Sequence, residues 1–222
     1  MKTAIVIVSI VALVLAGLAL YLLSANTKLR DELTAKIDRL EEQINLLTFE
    51  LETRVAEVSQ EKEGEIARLK GTYETLMADM KEEIEQGQIK ITQLADRLSV
   101  SMVDKILFPS GEAEITPEGL EILDRVGKVL KNTEGKIIRV EGHTDNVPIH
   151  PNLQKKFPTN WELSTTRATN VVRFLQEKVG IKGTRLQVIG MSEYSPVADN
   201  TTPAGRSQNR RIEITLLPES GL

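Results

Sequence analysis

A β-type run, Lys136-Ile137-Ile138-Arg139-Val140-Glu141, leads into Gly142-His143-Thr144-Asp145, and fifteen residues after Asp145 a helix opens with Asn160-Trp161-Glu162-Leu163-Ser164-Thr165-Thr166-Arg167-Ala168. No other stretch of the 222 residues restricts the fold as much. A strand followed by an amphipathic helix is the start of a β–α unit, and such a unit needs a sheet for the strand and a helical layer to cover it. Asn160, Leu163 and Arg167 stand at helical spacings, so they share one face. Asp145 closes the strand and Arg167 lies two turns into the helix. One negative and one positive side chain are thereby offered at the same rim.

The flanking sequence extends this unit into an α/β domain. Ser99 to Leu107 reads as a first strand, followed by the turn Phe108-Pro109-Ser110-Gly111. Thr116-Pro117-Glu118 starts a helix with Thr116 as its cap and Pro117 in the first position, and its apolar face is Leu120, Leu123, Val126, Val129 and Leu130. The helix from Asn160 is expected to run to about Lys178 and to bury Ala168, Val171, Val172 and Leu175 before Gly180 stops it. A strand over Arg185 to Gly190, a short helix from Pro203 to Gln208 and a last strand from Arg210 to Leu217 follow. In that last strand Ile212, Ile214 and Leu216 alternate inward against Arg211 and Glu213. The expected domain, residues 99–222, is an α/β sandwich of a four-stranded sheet and two main helices.

Upstream the pattern changes. Ala4 to Leu23 is apolar without interruption, and its length of about 20 residues matches a hydrocarbon core ~30 Å thick. Secretory apolar regions are shorter, roughly 7–15 residues. Residues 1–25 are therefore expected to be an uncleaved signal anchor that crosses a membrane once. Beyond it, Ile37, Leu40, Ile44, Leu47 and Leu51 recur in alternating steps of three and four, the seam of a coiled coil. The seam resumes at Ile66, Leu69, Tyr73, Leu76 and Met80, and again at Ile84, Ile91, Leu94 and Leu98. The jumps after Val58 and Met80 imply stutters, and Gly64, Gly71 and Gly87 imply joints. Residues 26–98 are expected to form a self-associating stalk, because an apolar seam on a lone helix is unfavourable. Fully helical, Lys28 to Leu98 would reach roughly 105 Å.

Several chemistries are excluded by composition and spacing. A net charge of −4 provides no basic field for nucleic acid. There is no cysteine, and His143, Asp145 and His150 lack a further nitrogen or sulfur ligand, so no metal or cofactor is expected. His143 and Asp145 stand two apart on a strand, which does not orient a Ser–His–Asp triad with Ser164. The chain is not expected to be an enzyme. Arg206, Arg210 and Arg211 are expected to form structural ion pairs with Asp199 and Glu193 that fix the last loop.

Three ordered motifs, Gly142-His143-Thr144-Asp145, Asn160 to Ala168, and Asn209-Arg210-Arg211-Ile212-Glu213-Ile214, carry a resemblance to the OmpA-like (OmpA/MotB C-terminal) peptidoglycan-binding domain family over roughly Ser99 to Pro218. The Asn160-Trp161-Glu162-Leu163-Ser164 run and the long segment 146–159, with Pro148, Pro151 and Pro158, resemble the MotB branch. The resemblance implies a mixed sheet whose strand ends and second helix start form a ligand groove. It implies that Asp145 accepts from the ammonium of diaminopimelate in a peptidoglycan stem peptide and that Arg167 clamps the neighbouring carboxylate with two parallel hydrogen bonds. Thr144 and Asn160 would be polar neighbours, with Leu163 on the same helix face. Phe108 would line the groove, a core role being the equal alternative. The whole would be a non-catalytic protein anchoring the inner membrane to peptidoglycan, with its C-terminal domain in the periplasm. The alternative is a MotB-like stator subunit of an ion-driven motor. An ion path needs an ionisable group inside the membrane, and Thr3 to Ala25 contains none.

Overall fold

The computed structural model describes residues 2–94 and 97–219. The expected domain end at Leu222 lies outside the described residues. The chain divides into two compact units, Met1–Glu61 and Lys62–Leu222.

The first unit is helical throughout its described length and belongs to α1 (Lys2–Asp79). Near its start α1 is long and apolar enough to cross a membrane. Its seam residues Ile37, Leu40, Ile44, Leu47 and Leu51 are all exposed. Arg54 and Glu50 pair one turn apart at 3.1 Å on its surface.

The second unit holds the end of α1, then α2 (Lys81–Glu85), β1 (Ile89–Leu94), β2 (Arg97–Val103), α3 (Asp104–Leu107), α4 (Pro117–Lys131), β3 (Lys136–His143), α5 (Asn160–Phe174), β4 (Leu186–Ser192), α6 (Pro203–Asn209) and β5 (Arg211–Pro218). The sheet is mixed and five-stranded in the order β1-β2-β5-β3-β4, with only β3 and β4 parallel. The expected α/β class and mixed sheet are present. The strand count is not four, because β1 falls inside the expected stalk. There, Gly87 adopts φ +69° and turns the chain after α2, and β1 then pairs antiparallel with β2 from Ile89↔Met102 to Leu94↔Arg97. The spacing of Ile84, Ile91, Leu94 and Leu98 imitates a heptad, yet Ile89 and Ile91 alternate with polar residues as a strand does. The stalk boundary at Leu98 is thus corrected. Leu69, Leu76 and Met80 are also fully buried in the domain core, beside Val100, Ile214 and Leu216 of the sheet.

Local chemistry accounts for the layer that covers the sheet. Thr116 caps α4 by accepting from Gly119 N at 3.0 Å, with Pro117 next in line. Leu123, Val126 and Leu130 of α4 and Ala168, Val171 and Leu175 of α5 are buried against Ile138, Val140 and Ile212. α5 starts from a reciprocal capping box: the Thr159 hydroxyl accepts from Trp161 N, and Glu162 Oε2 accepts from Thr159 N at 2.8 Å. It ends as an α-helix at Phe174 and continues as one π turn, Leu175–Val179, before Gly180 at φ +81° stops it.

Two glycines set how closely α5 lies on the sheet. A Cβ at Gly142 would overlap the backbone carbonyl of Ser164, and one at Gly190 would overlap the Thr165 side chain. Beside them the β3–β4 ladder slips. Gly142 pairs with Gly190 but His143 with Ser192, which is held at φ +52°. The extra residue, Met191, is in β4, and such a bulge bends the strand that carries it; Ser192 beyond it accepts from Thr144 N, which ties down the chain leading into Asp145.

Candidate ligand-binding site

Asp145 lies just beyond β3. Its Oδ1 accepts from Val147 N at 3.1 Å, the short turn an Asx side chain makes with its own chain. Its Oδ2 accepts from Arg210 Nη1. Thr144 is buried, tied to β4 through its N–H to Ser192 O at 2.8 Å, and its hydroxyl donates to Asp145 O at 3.0 Å. Asn160, in the first turn of α5, donates its amide to Glu193 Oε2 at 2.9 Å, Val147 O at 3.1 Å and Asp145 O at 3.3 Å. One side chain thereby joins the strand end, the helix start and the loop after β4.

Arg167 lies on the same face of α5. Its Nη1 pairs with Asp104 Oδ1 at 2.8 Å and its Nε donates to Glu112 O at 2.7 Å. The guanidinium rests 4.9 Å from the centroid of the Phe108 ring, a cation–π contact in a desolvated place. A guanidinium carries five N–H groups, so three stay available beyond these two bonds among the described residues. Leu163 packs with Ala113, Phe157 and Ile149, so the long 146–159 segment is pinned down by its own apolar residues. Phe108 is 1% exposed and belongs to the main core; it reaches the site only through Arg167.

The result is a cluster of four charges, Asp145 with Arg210 and Arg167 with Asp104, balanced in sign. Asp145, Arg167 and Asp104 are all more than nine-tenths buried, whereas the Arg210 side chain is 39% exposed and forms the outer edge. The expected residues are therefore brought together, and two further ones join them. Asp104 was hidden in what reads as the end of a strand. Arg210 had been expected to fix the last loop. It stands between α6 and β5, outside the strand, and its partner Asp145 comes just after the end of β3. Arg206 does fix that loop, through Asn200 O at 2.8 Å and Thr201 O at 3.1 Å, and Arg211 pairs with Glu213 at 3.4 Å. Asp199 makes no such ion pair among the described residues; it accepts from Thr201.

The electrostatics of the cluster are uneven. Burial pushes the Asp104 carboxyl up from 3.8 to about 6, against the pull of Arg167 and Arg210 and with some help from negative Asp145. Burial likewise pulls Arg167 below its ordinary value, with Asp104 opposing. A raised folded-state pKa means that native Asp104 keeps a proton which the unfolded chain has already released. Its contribution therefore favours folding at low pH and is lost as pH rises from 3.8 to about 6. Asp104→Asn should remove that slope. Relative to the variant, the parent should lose on the order of 3 kcal/mol between pH 3.5 and 7, read from urea midpoints along the series. Parallel pH profiles for the two would show that Asp104 is not the group that titrates.

His143 lies outside this cluster. It is buried, with Nε2 3.6 Å from Glu141 Oε2, and Glu141 and Glu213 stand opposite each other on β3 and β5. The three could gather a cation, but Arg139 and Arg211 already balance the two carboxylates.

Fold and site together define a small α/β module that offers a buried carboxylate and a buried guanidinium at one rim of its sheet. Residues 107–210 match the OmpA family, so that stretch of the chain is OmpA-like. It is 34% identical over 154 residues to Motility protein B of Bacillus subtilis (strain 168), covering 69% of this chain and 57% of that one. It is 33% identical over 111 residues to the peptidoglycan-binding protein ArfA of Mycobacterium tuberculosis, covering 50% of this chain and 32% of that one. Among solved structures it is similar to the cell wall anchor of the T6SS from Pseudomonas aeruginosa, at 33% identity and a TM-score of 0.59, covering 65% of this chain and 97% of that one. The chain thus spans less than two thirds of the length of either curated relative.

Proposed function

We propose that this chain is a non-catalytic cell-envelope protein that binds the diaminopimelate end of a peptidoglycan stem peptide and holds the wall to the inner membrane. The observation that carries this is that buried Asp145 and buried Arg167 stand in one charge cluster, paired with Arg210 and Asp104 respectively, and that Arg167 keeps unspent N–H groups. The free end of diaminopimelate presents an ammonium beside a carboxylate. Asp145 accepts from the ammonium, which takes over from the half-exposed Arg210, and the open edge of Arg167 receives the carboxylate. Asp104 and Glu112 fix the guanidinium in place beforehand, so little side-chain entropy is lost on binding. The names of ArfA and of the T6SS anchor support this reading. The test is co-sedimentation of the full chain with diaminopimelate-type sacculi. The chain should pellet with them and be released by free meso-diaminopimelate; a chain that stays in the supernatant would overturn the proposal.

In this reading residues 1–25 are the single span, and the C-terminal domain stands in the periplasm where its ligand is. The exposed seam from Ile37 to Leu51 is where a second copy of α1 packs. A fragment lacking the span should sediment as an oligomer at micromolar concentration. Ile44→Asp with Leu47→Asp should return it to monomer without changing the domain's unfolding. If the parent fragment is itself monomeric, the seam has another use.

A motor stator subunit is the second reading, favoured by the likeness to Motility protein B. The absence of a carboxylate between Thr3 and Ala25 weighs against it. Loss of swimming on deletion, with sacculus binding intact, would favour the motor.

A further inference from the structure

Trp161 is the only tryptophan of the chain, and it is 47% exposed in the first turn of α5. It does not stand alone. Tyr194, 68% exposed, stacks against it with ring centroids 5.4 Å apart and planes 28° from parallel. Large aromatic rings left in water forfeit the burial that normally justifies them, and an exposed pair marks a contact surface.

The position of the pair identifies the contact. Trp161 is the chain neighbour of Asn160, which donates to Asp145 O, and Tyr194 is the neighbour of Glu193, whose carboxylate accepts from the same Asn160 amide. The aromatic pair and the charged cluster are therefore two sides of one hydrogen-bonded junction. We propose that the Trp161–Tyr194 pair is a glycan subsite that takes a pyranose ring of the amino-sugar strand to which the stem peptide is attached. This rests on the diaminopimelate reading of the Asp145–Arg167 site, because that reading brings the sugar strand alongside.

The chemistry fits an N-acetylated hexosamine with equatorial substituents. The axial C–H bonds of such a ring stand on its two faces and leave each face free of polar groups, and such a weakly positive face meets the negative face of an aromatic ring. The hydroxyl and acetamido groups then point outward at the rim, where the Glu193 carboxylate can accept from them. An apolar protein partner would be expected to bury both rings within a larger apolar patch, but the residues next to them in the chain, Asn160, Glu162 and Glu193, are polar.

The experiment compares two probes on the full chain in detergent: the diaminopimelate tetrapeptide alone, and the same peptide carried on its N-acetylglucosamine–N-acetylmuramic acid disaccharide. The parent should bind the disaccharide form roughly three- to tenfold more tightly, the range of a good aromatic stacking contact. Trp161→Ala and Tyr194→Ala should bring that ratio to about one while holding the bare-peptide affinity within about twofold. Trp161→Phe should keep most of the preference. The single tryptophan also reports directly: its emission should shift to the blue with the disaccharide form and stay put with the peptide. A parent that binds the bare peptide but shows no preference, or a preference unchanged in both alanine variants, overturns the glycan subsite alone. A parent that does not bind the bare peptide overturns the charged-site reading and the subsite with it.

Discussion

Asp145→Asn should abolish co-sedimentation with diaminopimelate-type sacculi while the domain unfolds at nearly the parent's urea concentration. The asparagine keeps the side-chain oxygen that accepts from Val147 N, so the turn survives and only the charge is lost. A desolvated charge left without its partner typically costs about 2–5 kcal/mol, which is a loss of roughly thirtyfold or more in affinity. Arg167 gives a different signature. Arg167→Ala should abolish binding and also destabilise the domain by roughly 3–5 kcal/mol, because Asp104 would be buried without its cation. Arg167→Lys should restore part of the stability and little of the binding, since an ammonium keeps the charge but not the fork. Amidating the ligand's carboxylate should reproduce the Arg167 loss and spare the Asp145 contact. Arg206→Ala and Lys155→Ala should bind like the parent. If Asp145→Asn and Arg167→Lys both sediment with sacculi as the parent does, the charged site is not where the wall is held.

Gly142→Ala should be among the most damaging glycine-to-alanine changes in the domain, and the one that bears most directly on the charged site. Its Cβ would occupy the place of the Ser164 carbonyl, a backbone atom that cannot rotate aside. Either α5 lifts from β3 or the strand end bends, and overpacking of this kind costs about 3 kcal/mol. Both movements separate Asp145 from Arg167, because Gly142 and Ser164 each lie three residues before one of them. Binding should therefore weaken together with stability. Gly71→Ala is the matched control: nothing lies within 4 Å of its Cβ, the residue is helical, and the change should stabilise by roughly 0.5–1 kcal/mol. Equal urea midpoints for the two variants would refute the close contact between helix and strand.

What could be read from the residues alone followed the range of the interactions. The cap at Thr116-Pro117, the end of α5 at Gly180 and the alternation of Ile212, Ile214 and Leu216 are decided within a few positions, and all three are found in the fold. β1 was misread because its apolar residues fit a seven-residue repeat as well as an alternating one, and only pairing with β2 separates the two. The charged site divides in the same way. Asp145 and Arg167 belong to motifs with a fixed local setting, whereas Asp104 and Arg210 acquire their roles from partners 63 and 65 residues away. No local pattern encodes a partner at that distance. Phe108 had two equal readings, groove wall and core; the ring is buried in the core and also lies under the Arg167 guanidinium.

The final turns of α1 are not a tether tied to the surface of the domain. Leu69 and Leu76 are sunk among the residues that pack the sheet, as is Met80 just beyond the helix, Glu65 pairs with buried Lys136 at the start of β3, and Glu83 of the following α2 pairs with Arg125 of α4. Lys136 opens the same strand whose far end delivers Asp145. A swivel would let the domain spin under load. Under the proposed function, torque and tension carried by these turns would pass into the strand that leads to Asp145, and a head held by the wall would resist them in turn.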